Sequence, residues 1–258
     1  MYHTSSNNKF FKEKRNNSHM DYTYGKDITI LETKDELRNI LKKFTELCSE
    51  KNIKPILMHG SLIGWYFNRK ILPWDNDIDI VLIGNSIERL KRLDNFETEE
   101  IIIKINPNSS DREYDRNNKI DARVISKKNG VFIDITFLYQ SLDSHFKEKI
   151  KRYFTISQNK SNPFMSVTYE NKLKTLVRSI NKSENFENTL FVNCKSPHYY
   201  NIKHILPLKK EKFEDCDIYI PNNIDECLYQ EYGENVFKPK FRNWIYNSKK
   251  ELWERYKY

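Results

Sequence analysis

From residue 37 onward apolar side chains return at helical spacing: Leu37, Ile40, Leu41, Phe44, Leu47 and Cys48. This predicts an amphipathic helix over 34–50, with Thr33 and Glu36 three residues apart as its capping box. The short apolar run PILMH (55–59) predicts a strand that breaks at Gly60-Ser61, and SLIGWYFN then suits a short helix. After the loop closed by Pro73, IDIVLI (78–83) reads as a strand, SIERLKRL (86–93) as a helix and EIIIKI (100–105) as a strand. KIDARVIS (119–126) and VFIDITFLY (131–139) form a hairpin pattern across KKNG, with Gly130 where a positive φ is needed.

The pattern weakens after residue 140. HFKEKIKRYF and the Lys/Asn-rich 157–190 suit helix joined by loop. An extended segment to Pro207 leads to a hairpin around Glu214-Asp215, then a helix from about Ile224 that Gly233 stops. The tail NSKKELWERYKY is predicted as a final helix. The expected architecture is α/β (α+β): a mixed sheet flanked by helices, with a mainly helical C-terminal part. Residues 1–27 are polar and aperiodic and read as a flexible arm or a strand-poor surface wrap. One domain is expected over 28–258, its sheet at about 53–140 and its C-terminal part at about 141–258.

At 258 residues and 38% hydrophobic the chain is long enough to bury a sizeable core. The net charge of +8 favours anionic partners, but Lys and Arg are scattered among Asp, Glu and Asn, which is the pattern of a solvated surface. Nucleic acid is therefore not the expected partner. Cys48, Cys194, Cys216 and Cys227 form no C-x-x-C pair and no metal-ligand rhythm with the six histidines, so neither a zinc module nor a disulfide framework is expected. No apolar run is long enough to span a bilayer, and no signal-peptide core is present, so the expectation is a soluble, cytoplasmic protein.

The candidate chemistry lies in ILPWDNDIDIVLIG (71–84), which places Asp75, Asp77 and Asp79 at every second position before a buried strand. Asp77 and Asp79 project from one side, about 6.5 Å apart by twice the strand rise. Such a pair repels itself unless a divalent cation sits between the carboxylates. A calcium loop is excluded, because its sixth position is Ile80 where Gly is needed and its twelfth is Ser86 where Glu is needed. Gly60-Ser61 ends a strand at the mouth of a helix, where backbone N–H groups and the hydroxyl can meet a phosphate. Asp134 stands alone in an apolar strand and needs a partner: either a cation shared with Asp77 and Asp79, or a turn or an arginine such as Arg123. An acidic loop before a strand remains the plain alternative for the D-x-D pair.

HGSLIGWYFNRKILPWDNDIDI resembles the signature of the LicD/fukutin-related family of nucleotidyltransferase-fold proteins, G-[ST]-L-L-G, a basic pair, then P-W-D-x-D-x-D. DRNNKIDARVISKKNGVFIDIT (115–136) is similar to the fungal branch linked to mannosylphosphate transfer onto glycans. The likeness covers roughly residues 30–240. It implies a nucleotidyltransferase-like sheet, with Mg²⁺ or Mn²⁺ on Asp77, Asp79 and Asp134 and phosphate contacts at Gly60 and Ser61. Asp75 is given a supporting or acceptor-orienting role. Arg69 and Lys70 match the basic pair and are candidate donor-phosphate contacts, as are Arg116, Lys119 and Arg123. Trp74 and His59 are read as structural.

The implied reaction is transfer of a phospho-sugar, phospho-polyol or phosphocholine group from a CDP- or GDP-activated donor to a glycan hydroxyl, with Asp75 or Asp134 as base. Two alternatives stay open: a nucleotidyltransferase that uses a nucleoside triphosphate, and a non-catalytic nucleotide- or glycan-binding member.

Overall fold

The computed structural model describes residues 10–11, 20–21, 24–107, 109, 120–140, 189–192 and 198–256. Arg116 and Lys119, HFKEKIKRYF and most of 157–190 lie outside the described residues.

Helix α1 runs Ile30–Glu50, a turn longer at its start than the apolar stripe implies. Its cap is Thr29, not Thr33. The Thr29 hydroxyl accepts from the Glu32 N–H at 3.2 Å, and the Glu32 carboxylate accepts from the Thr29 N–H at 2.7 Å. Thr29-x-x-Glu32 repeats the capping spacing four residues upstream, and Ile30 and Leu31 are exposed, so the first turn has no apolar signal. Thr33 and Glu36 lie instead on the buried face with Leu37, Ile40, Leu41 and Phe44.

The mixed sheet is built from β1 (Ile56–Leu57), β2 (Asp79–Ile83), β3 (Ile101–Ile105), β4 (Ala122–Ser126), β5 (Phe132–Gln140), β8 (Lys209–Phe213) and β9 (Cys216–Ile220) in the order β3-β4-β5-β2-β1-β9-β8. β6 (Thr189–Val192) adds to the far end of β5, and β7 (His198–Asn201) pairs with β6. α1 packs against β4, β5 and β9. α2 (His59–Asn68) and α3 (Asn85–Lys91) pack against β2, while α4 (Ile202–Ile205) and α5 (Ile224–Tyr232) follow β7 and β9. The expected hairpins are present: Gly130 has φ +80°, and Glu214 and Asp215 form a two-residue turn at φ 46° and 63°. No helix among the described residues is long and apolar enough to cross a membrane.

The expectation of a mainly helical C-terminal part, ending in a helix, is corrected. The tail forms a three-stranded antiparallel sheet, β10 (Lys240–Phe241), β11 (Trp244–Asn247) and β12 (Leu252–Arg255). Its aromatic side chains find partners that no isolated helix would supply. The Trp253 ring lies 4.8 Å from Phe67 and 4.9 Å from Trp74, and Phe241 stacks on Trp74 at 4.8 Å and 27°. The Tyr246 hydroxyl donates to the Phe67 carbonyl at 2.7 Å. Trp74 is thus a packing residue that ties the loop before β2 to the tail.

Of the described residues within 1–27, Phe11 and Met20 are buried and Met20 bridges Val131.

Gly64 marks where the chain returns from α2 to the acidic loop. A Cβ there would stand 2.3 Å from the Lys70 carbonyl oxygen. Alanine would ordinarily gain about 0.5–1 kcal/mol inside a helix. The contact reverses the sign, and Gly64→Ala is expected to lose about 1–3 kcal/mol, read as a lower urea midpoint at unchanged slope.

Candidate functional site

The β1–α2 turn and the start of β2 are joined by backbone. The Met58 N–H donates to the Asp79 carbonyl at 3.2 Å, and the Asp79 N–H donates to the Ser61 hydroxyl at 2.9 Å. Ser61 is buried, and in this structure its oxygen orients β2. Gly60 serves close approach: a Cβ on it would lie 3.1 Å from Asp75 Oδ2. The anion at the first turn of α2 is therefore the protein's own Asp75 carboxylate, a placement the helix dipole favours.

Asp79 and Asp134 are register partners on parallel strands β2 and β5, and Asp134 is in turn the register partner of Arg123 on antiparallel β4. Register partners project from the same side of a sheet, so the two carboxylates and the guanidinium form one row across three strands. Arg123 Nε donates to Asp134 Oδ1 at 2.7 Å. Its guanidinium carbon lies 3.5 Å from the Phe132 ring centre and 4.9 Å from that of Phe11, and the residue is fully buried. Of the partners expected for Asp134, the arginine is the one observed. Arg123 faces the core, which corrects its reading as a phosphate contact: a residue with no exposed surface cannot reach a ligand in this arrangement.

Burial drives the Asp79 carboxyl well above the usual carboxylate range. The charges of Asp77, Asp134 and Glu231 push the same way, while His59 opposes them. Asp75 is pushed up to about 7, by burial first and then by Asp77, with Lys34 pulling it back. Among the described residues no three His, Cys, Asp or Glu side chains are already arranged to hold a metal ion. The donor chemistry fits a hard divalent cation through Asp77 and Asp79, whose mutual repulsion such an ion would relieve, whereas Asp134 is engaged by Arg123.

The basic pair is not brought to the aspartates along α2. Arg69 is the left-handed residue ending the helix, at φ 59°, nine residues beyond Gly60, or roughly 14 Å along the axis. Arg69 and Lys70 are exposed, and the Arg69 guanidinium lies 5.1 Å over the Trp65 ring.

Sequence reasoning missed Glu231, on α5. Its carboxylate meets His59 Nδ1 at 2.7 Å and accepts from the Tyr200 hydroxyl at 3.0 Å, and its side chain is 6% exposed. Burial would lower the His59 pKa, but Glu231, with help from Asp79 and Asp77, raises it to about 9. One signal was available: Glu231 falls three and four residues beyond Leu228 and Cys227, the buried residues of α5.

The Arg123–Asp134 pair allows a direct test. Arg123→Met removes the guanidinium that donates to a carboxylate only 15% exposed and is expected to lose about 3–5 kcal/mol. Arg123→Met with Asp134→Leu should recover most of that. Chemical denaturation of the two singles and the double measures the coupling, and a coupling near zero would show that the pair contributes nothing.

Comparison with known proteins shows what this part of the chain is similar to. Residues 52–173 match the family described as LicD/FKTN/FKRP, nucleotidyltransferase domain, a span that holds Gly60, Ser61, the three aspartates and Asp134. Over 88% of its length the chain is 22% identical to Mannosyltransferase regulator 4 of Saccharomyces cerevisiae, and over 81% it is 21% identical to Mannosyltransferase regulator 14 of the same yeast. The aligned parts cover 27% and 31% of those two proteins, so the chain spans under a third of the relatives it matches.

Proposed function

We propose that this chain acts in glycan modification as a phosphotransferase, moving a phospho-sugar, phospho-polyol or phosphocholine group from a CDP- or GDP-activated donor to a glycan hydroxyl. The observation that carries this reading is the in-register opposition of Asp79 and Asp134, with Asp77 two residues upstream, beside the start of α2. Asp77 and Asp79 would hold Mg²⁺ or Mn²⁺, with Asp134 completing the set once released by Arg123. The bound cation would supply charge neutralisation on the diphosphate.

The chain's own residues account for the remaining chemistry. The acceptor hydroxyl oxygen forms a bond to the donor's sugar-, polyol- or choline-linked phosphorus. The bond from that phosphorus to the bridging oxygen breaks, and the nucleoside monophosphate leaves with the electron pair. The hydroxyl proton passes to a carboxylate. Asp75 suits that role, because a pKa of about 7 balances proton affinity against ionisation at neutral pH, while Asp134 already accepts from Arg123. A non-reacting phosphate oxygen would reach Gly60 and Ser61 only with the Asp75 carboxylate moved off the first turn of α2, where it now lies.

A second reading is favoured by one observation: the Arg123–Asp134 pair fills a ligand position with a protein cation. On that reading the domain binds a nucleotide-linked sugar or a glycan without turnover. The word regulator in the names of both yeast relatives is in keeping with it.

Product analysis separates the readings. The full chain is incubated with CDP- and GDP-linked donors, oligosaccharide acceptors and Mn²⁺, and products are resolved by mass spectrometry. A phosphodiester-linked glycan together with CMP or GMP supports transfer. Pyrophosphate released from a nucleoside triphosphate identifies a nucleotidyl transfer instead. Thermal stabilisation by donor or glycan without turnover supports the binding domain.

A further inference from the structure

We infer that Glu214, at the tip of the β8–β9 hairpin and outside the family-matched span, is a positioning residue that holds the loop delivering Asp75 and Asp77; only its activity readout rests on the function proposed above.

The loop from Arg69 to Asp75 leaves α2 at a left-handed residue and has no strand or helix to satisfy its backbone. Its polar groups are met from outside. Glu214 Oε1 accepts from the Ile71 N–H at 2.7 Å, and the Glu214 N–H donates to the Arg69 carbonyl at 3.0 Å. Lys34 Nζ donates to the Leu72 carbonyl at 2.8 Å, and the Asp75 N–H donates to the same carbonyl at 3.1 Å. Glu214 is itself fixed: Arg38 Nε on α1 donates to Oε2 at 3.0 Å, and the carboxylate side chain is 6% exposed. A single side chain therefore ties α1, the β8–β9 turn and the acidic loop together.

The geometry makes this more than a surface ion pair. The two-residue turn sets Glu214 at φ 46°, which lets backbone and side chain grip the loop at successive residues, Arg69 and Ile71. Buried backbone groups in an irregular segment keep their position only while partnered. Four residues past Ile71, the Asp75 carboxylate lies 3.1 Å from where a Gly60 Cβ would stand, so the position of this loop sets how closely Asp75 approaches α2. A shift of about 1 Å in a reacting group is enough to lower a rate on the order of 100-fold.

The test uses the full chain with Glu214→Ala, Glu214→Gln and, as a stability control, Ile103→Val in the core of β3 at the opposite edge of the sheet. Amide hydrogen exchange is followed at Ile71 and Asp75. Glu214→Ala is expected to speed both by at least tenfold, and Glu214→Gln, whose amide oxygen still accepts from Ile71, by much less. In transfer assays well below the unfolding temperature, Glu214→Ala is expected to lower kcat at least tenfold with donor KM nearly unchanged. Glu214→Gln should restore most of that, and the control should keep wild-type kcat. Unchanged exchange at Ile71 and Asp75 in Glu214→Ala would overturn the inference, as would a kcat matching the control. Should Glu214→Ala fail to fold, Arg38→Gln replaces it, with faster exchange at Ile71 expected and unchanged exchange counting against the clamp. A wild-type chain that transfers nothing refutes the proposed function, while the exchange measurement still decides the clamp.

Discussion

Asp79→Asn is expected to reduce metal-dependent transfer by a factor on the order of 10³ or more while the protein keeps, or gains, stability. The two halves come from one cause. Asp79 is strongly opposed by its surroundings, held well above the ordinary range by burial and by Asp77, Asp134 and Glu231. A group whose folded pKa is raised binds protons more tightly folded than unfolded, so its ionisation costs stability as pH rises above the unfolded value near 3.9. Asp75 acts in the same sense, its penalty growing from there and complete above about pH 7. Asparagine keeps the shape and removes the charge. The stability gap between variant and wild type should therefore widen from pH 4 upward, followed by urea unfolding at several pH values without added metal. Wild-type turnover by Asp79→Asn, or a gap that narrows as pH rises, would contradict the assignment.

The contrast with Arg123→Met shows why activity and stability have to be measured together. Asp79 and Asp134 stand side by side on β2 and β5, yet among the described residues it is Asp134 that has a guanidinium within hydrogen-bond reach. One carboxylate is already paired with a protein cation, and the other is the one that the proposed function assigns to a divalent cation. Function and fold thus draw on neighbouring residues of one row with opposite signs of effect.

How much of this was legible in the sequence depends on the range of the interaction. Alternation and apolar runs located β2, β3 and the β4–β5 hairpin, because strand burial repeats along a few consecutive residues. A carboxylate in an apolar run marks itself, which was enough to put Asp79 and Asp134 on strands, and these are neighbours in the sheet, while Asp77 lies in the loop just before β2. The first turn of α1 was missed because its signal is a cap and not a stripe: Ile30 and Leu31 point to solvent. The tail was misread because Leu252, Trp253 and Tyr256 fit a helix as readily as a strand, and the decision belongs to Trp74 and Phe67, nearly 180 residues away. Arg123 was visible as a partner for Asp134, but its full burial against Phe132 and Phe11 is a tertiary property that no local pattern announces. Glu214 and Glu231 carry no local mark that distinguishes them from surface glutamates beyond the helical phase of the latter.

Glu231→Gln is the second substitution expected to have a large effect, and here stability falls. His59 sits in a left-handed backbone conformation at the first position of α2, with φ 55° and its ring almost wholly buried against the Glu231 carboxylate. Its rise from the ordinary 6.5 to about 9 corresponds to about 3 kcal/mol of favourable interaction with the protonated ring. For a group raised in the folded state, that contribution is fully present below pH 6.5 and is lost as pH climbs through about 9. Glutamine keeps an oxygen for the imidazole N–H but not the charge, so the variant should be about 3 kcal/mol less stable at pH 6 and close to wild type by pH 10. Taking the difference between the two proteins largely cancels the contributions of Asp75 and Asp79. The Tyr200 hydroxyl, which donates to the other Glu231 oxygen, faces the amide NH2 in the variant and has to turn to accept from it, so the pH-dependent part of the loss is what reads the ion pair. A difference independent of pH across this window would mean that His59 is neutral in the folded protein and that Glu231 anchors α5 by hydrogen bonds alone.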